Sequence, residues 1–131
     1  MLSSFLQDVD PSEAPVVIWL QGGPGSSSLW GLFEINGPFM AVEDDSGNTI
    51  ARPNPNSWNK KANMIYIDNP VGTGKCLLKF FHDFKTIYHY FFPGFSHTGV
   101  DGFAQNQVDV GNDLYEFLTQ WFTLFPEYQV I

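Results

Sequence analysis

Residues 15–20, Pro-Val-Val-Ile-Trp-Leu, are a continuous apolar run, the pattern of a strand covered on both faces in an α/β sheet. Residues 62–68, Ala-Asn-Met-Ile-Tyr-Ile-Asp, predict a second such strand that ends at Asn69-Pro70. Between them lies a short apolar piece, Phe39-Met40-Ala41-Val42, bounded by turn residues at Gly37-Pro38 and at 44–48, and it predicts an edge strand. From Asn106 onward Val110, Leu114, Phe117, Leu118, Trp121, Phe122 and Phe125 recur at spacings of three and four. That period predicts a helix with one apolar face, stopped at Pro126. Residues 1–14 read as a polar lead-in with turn chemistry at 8–13. Strands interleaved with helix place the chain in the α/β class.

The segment after the first strand carries the chemistry. Gln21-Gly22-Gly23-Pro24-Gly25 is followed by Ser26, Ser27 and Ser28. The three glycines remove each Cβ that could keep a ligand away from the backbone, and the serines offer cap oxygens to a helical start. Backbone N–H groups gathered in such a turn suit an anion, either a carboxylate or a tetrahedral oxyanion.

Composition narrows the class. With 44% hydrophobic and 17% aromatic residues the chain has the material of a globular core. At 131 residues it is shorter than the roughly 250 residues that large α/β domains commonly need. A net charge of −8 argues against a nucleic-acid or anionic-membrane partner. Cys76 is the one cysteine, so no disulfide forms within the chain. Residues 1–8 lack the basic start and long apolar core of a signal peptide.

The glycine turn in its setting resembles the start of a serine carboxypeptidase, of peptidase family S10, and within it the vitellogenic-like branch, where Gln precedes the glycines. Residues 34–39 (Glu-Ile-Asn-Gly-Pro-Phe), 54–59 (Asn-Pro-Asn-Ser-Trp-Asn), 62–74 and 117–128 agree with that family in order. The resemblance implies an α/β-hydrolase fold, incomplete and holding the N-terminal part of the sheet, with residues 1–131 as one partial domain. It implies a serine-type carboxypeptidase, which releases the C-terminal residue of a peptide, with no metal or cofactor, in a secreted or lysosomal setting. By resemblance Gly23 gives an oxyanion-hole N–H, while Gln21 and Gly22 hold the substrate's terminal carboxylate. A family glutamate that supports this carboxylate falls at Ile35, with Glu34 beside it as the candidate. No Gly-x-Ser-x-Gly occurs in the 131 residues, and the resemblance places the nucleophile just beyond them, so the chain alone is expected to be inactive. A binding module that reads peptide C-termini without hydrolysis is the alternative from a non-enzyme class.

Residues 75–94 break the pattern. They hold seven aromatics and three of the six basic residues, and removing them joins Gly74 to Phe95-Ser96 in the family's run. A retained intron accounts for both edges of the block; a genuine lid or membrane-surface insert is the other reading. His82 and His89 fall inside it, and His97 beside Ser96 reads as a surface-loop histidine, since neighbours on an extended chain face opposite ways. Residues 69–76, Asn-Pro-Val-Gly-Thr-Gly-Lys-Cys, approach a phosphate loop and suggest a nucleotide binder. Asn69 stands where that motif has its first glycine, and Cys76 where it has the Mg²⁺-binding hydroxyl.

Overall fold

A computed structural model describes residues 8–23, 25–73, 98–99 and 101–129. Two strands, β1 (Val16–Leu20) and β4 (Asn63–Ile67), pair in parallel, with Val16 opposite Asn63 and Leu20 opposite Ile67. A parallel pair needs a long connection. Here that connection is itself structured, containing the antiparallel hairpin of β2 (Phe39–Glu43) and β3 (Thr49–Pro53). The helix α1 (Gln107–Leu124) follows later in the chain.

Local chemistry explains each boundary. The Asn106 side chain accepts from the N–H groups of Val108 and Asp109, so α1 starts one residue after it. Pro126 opens a 3₁₀ turn at Pro126–Tyr128, directly after the helix. In the hairpin turn the Asp44 carboxylate accepts from the N–H groups of Ser46, at 2.9 Å, and Asn48, at 2.8 Å. The Asn48 N–H in particular holds the Asp44 carboxyl below the usual range. Gly47 supplies the φ of +81° that closes the turn. β3 was not foreseen from the sequence: all five of its residues are exposed, so no buried face marks it, and Pro53 reads as a breaker.

The start of β4 is tied to the lead-in by Asn63, whose amide donates to the carbonyls of Pro11, at 2.7 Å, and Ala14, at 3.0 Å. Among the described residues the hydrophobic side chains that are fully covered are small, Ala14 and Ala62, and the largest fully buried side chains are polar: Asn36, Ser27 and Ser28. Both faces of the parallel pair stay half-covered. The apolar stripe of α1 is half-buried at Val110, Leu114, Leu118, Trp121 and Phe122, and no residue of the helix is fully buried. Cavities of about 360 and 330 Å³ lie between α1 and the β4 region. Among the described residues no helix is long and apolar enough to cross a membrane.

Candidate active site

The site is built at the C-terminal end of β1, where the strand runs into the glycine turn. Trp19 and Gln21 are two apart, so an extended backbone sends both side chains the same way. The Trp19 indole N–H donates to Gln21 Oε1 at 3.1 Å. An indole N–H can only donate, so this bond fixes which way the Gln21 amide faces and leaves its NH₂ end to a further acceptor. Trp19 is held in turn by Trp58, whose ring meets it edge-on at 5.7 Å and 85°. Gly31 packs so closely on the indole that an added Cβ would lie 2.3 Å from Trp19 Nε1.

Tyr66 stands opposite Trp19 in the parallel register, and its hydroxyl donates to Asn36 Oδ1 at 3.1 Å. Burial pushes the Tyr66 phenol up to about 12, so it keeps its proton as a donor through the physiological range. Asn36 is 2% exposed, and its Nδ2 is buried without a hydrogen-bond partner. Its carbonyl accepts from the Trp58 N–H at 2.9 Å.

Past Gln21 the chain turns through Gly23 at φ +144° and Gly25 at φ +82°. These glycines are exposed, and among the described residues no acceptor is bonded to the N–H of Gly22 or Gly23. The turn is anchored at both ends. Gln21 N–H donates to Ser28 Oγ at 3.1 Å, and Ser28 Oγ donates to the Ile67 carbonyl. Asp68 Oδ1 accepts from Ser27 Oγ and from Ser28 N–H, each at 2.8 Å. Ser27 Oγ also caps Leu29 N–H at 3.2 Å, but the helical start it serves widens into one π turn, Gly31–Ile35. The turn is short, so the anion-binding capacity sits in individual N–H groups rather than in a helix dipole.

Gln21, Gly22 and Gly23 are therefore brought together as a patch of donors. Glu34 and Ile35 lie on the exposed side of the π turn, and among the described residues no hydrogen bond joins Glu34 to Gln21. Asn69–Pro70 is a cis peptide leading into a turn closed by Thr73 N–H on the Pro70 carbonyl at 3.1 Å. Lys75, Cys76, His82, His89, Ser96, His97 and the block at 75–94 lie outside the described residues. Sequence reasoning took Ser28 only as a cap oxygen and gave no site role to Trp19, Asp68 or Asn36. The spacing of two between Trp19 and Gln21 was the readable signal for Trp19; the others depend on pairing across about 30 to 40 positions.

The serine carboxypeptidase profile of peptidase family S10 matches residues 4–82. The chain belongs to the serine carboxypeptidase family. It is 44% identical over 121 residues to the venom serine carboxypeptidase of Apis mellifera, covering 92% of this chain and 21% of that protein. It is 42% identical over 115 residues to the vitellogenic carboxypeptidase of Aedes aegypti, covering 87% of this chain and 19% of that one. Among solved structures it resembles Kex1, a prohormone-processing carboxypeptidase from Saccharomyces cerevisiae. The TM-score is 0.61 and the identity 28%, over 88% of this chain and 21% of Kex1. This serine carboxypeptidase chain thus spans about a fifth of the length of the relatives it matches. Its parallel pair is part of an incomplete α/β-hydrolase fold.

Proposed function

We propose that this segment forms the carboxylate- and oxyanion-binding loop of a serine-type carboxypeptidase that removes the C-terminal residue of a peptide. In this reading the Gln21 amide and the Gly22 N–H hold the substrate's free carboxylate. The Gly23 N–H stabilises the negative oxygen that forms when a serine, supplied from outside these residues, attacks the last peptide carbonyl. The observation that carries the reading is the Trp19 bond to Gln21 Oε1, which leaves the Gln21 NH₂ as a donor, next in sequence to two backbone N–H groups that have no acceptor among the described residues. A patch that donates and does not accept fits an anion. Glu34, on the exposed side of the neighbouring π turn, stays the candidate by resemblance alone for a part in the same site. The setting is secreted or lysosomal, in keeping with the name of the honeybee relative as a venom protein.

The test replaces the aligned segment of the honeybee enzyme with residues 8–73 of this chain and uses the graft as reference. Gln21→Ala removes a contact made equally in the ground and transition states, so it raises KM for free-acid peptides and leaves kcat nearly unchanged. Amide-capped peptides lack the carboxylate and change less. Equal slowing of capped and free peptides at constant KM would refute the carboxylate role.

The 131-residue chain on its own should show no turnover of a blocked dipeptide, because the loop stabilises an oxyanion that needs a nucleophile to form. Hydrolysis by the purified chain that is abolished by a serine-directed inhibitor would contradict this.

A further inference from the structure

We propose that Ser28 and Asp68 act together as a positioning clamp that sets the aim of the Gln21, Gly22 and Gly23 donors at the substrate's carboxylate and oxyanion. The proposal rests on the functional reading above. Its starting point is that, among the described residues of the loop, no other element packs closely on the glycines. A Cβ built at Gly22 or at Gly25 would meet nothing within 4 Å, and the nearest atoms to one at Gly23 belong to Ser26 of the same turn. Its shape must come from its two ends.

The Gln21 end is bonded to Ser28, and the Ser27–Ser28 end is bonded to Ile67 and Asp68 at the end of β4. Ser28, 1% exposed, has one hydroxyl proton, and that proton goes to the Ile67 carbonyl. A lone pair of the same oxygen is then the only group it can offer to Gln21 N–H, so both partners of the hydroxyl are determined. At the other end one oxygen of Asp68 accepts from Ser27 Oγ and Ser28 N–H, which fixes the backbone from which the Ser28 hydroxyl projects. Ser27 is also 1% exposed, so water does not compete for these bonds. The peptide plane entering Gln21 is thereby locked to the sheet. The N–H groups of the next two residues take their direction from that plane.

The clamp makes a prediction that a single contact does not. Loss of Ser28 Oγ moves the carboxylate donors and the oxyanion donor together, so in the graft Ser28→Ala should raise KM for free-acid peptides and lower kcat at the same time. A misplacement near 1 Å can cost about 10²-fold, and the combined loss in kcat/KM should approach that figure. Titration with an irreversible serine-directed inhibitor counts the folded enzyme, so kcat is corrected for any loss of folding. Asp68→Ala should act like Ser28→Ala. Asp68→Asn keeps an acceptor oxygen in place and should lose several-fold less. If Ser28→Ala keeps both parameters at the reference values while Gln21→Ala raises KM, the clamp is wrong and the carboxylate reading stands. If Asp68→Asn is as damaging as Asp68→Ala, the acceptor role assigned to that oxygen is wrong. If Gln21→Ala and Gly23→Val are both silent, the loop binds no substrate and the clamp falls with it.

Discussion

Gly23→Val in the graft should lower kcat for a blocked dipeptide by about 10²–10³-fold, the usual cost of losing one oxyanion-hole donor. Two observations lead there. Gly23 sits at φ +144°, a backbone conformation that a residue with a Cβ rarely adopts. A Cβ built there would also lie 2.7 Å from Ser26 Oγ and 3.2 Å from Ser26 N. The serine hydroxyl can rotate away, but the backbone nitrogen cannot, so the turn must re-form with its N–H pointing elsewhere. The interaction lost belongs to the transition state, so kcat should fall with little change in KM. Steady-state kinetics on free-acid and capped substrates checks this, and an unchanged kcat would remove Gly23 from the oxyanion site.

Gly37→Ala should have the largest effect on folding. A methyl there would lie 1.8 Å from the Leu32 carbonyl oxygen and 2.5 Å from its carbon, a collision with backbone that no rotamer relieves. Gly37 N–H and Asn36 N–H both donate to the Gly31 carbonyl, at 3.1 and 3.0 Å, and this pair of bonds closes the π turn. Moving Gly37 also breaks the bond from Asn54 Nδ2 to its carbonyl, 2.9 Å long. The cost should exceed the roughly 1–3 kcal/mol typical of an overpacked core, because the backbone itself must shift. Soluble yield and thermal melting of the graft measure it. A variant that melts with the reference would show that the turn can open without penalty.

The parts of the fold marked by apolar runs and caps were readable from the sequence. The apolar runs at 15–20 and 62–68 contain β1 and β4 within a residue at each end, although both strands stay half-covered and β4 opens on the polar Asn63. Asn106 and Pro126 bracket α1 as cap and stop. β3 was missed because its pairing is imposed by the Asp44 turn and by β2, not by an inward-facing pattern of its own. The π turn was invisible for a related reason: its extra residue is accommodated by Gly31 and Gly37, and no periodicity announces it. In the site, Gln21, Gly22 and Gly23 could be named from the turn and its resemblance. The anchors could not, since Ser28 looks like any helix cap until the register sets Ile67 and Asp68 beside it.

Trp19, edge-on to Trp58, offers the loop an optical signature. The two indoles lie 5.7 Å apart at 85°, and one of them shares its N–H with the Gln21 amide. A carboxylate held by that amide, as proposed above, would polarise the same hydrogen bond and so shift the absorption and emission of Trp19. Tryptophan spectra would then report occupancy of the loop, without a label and without turnover.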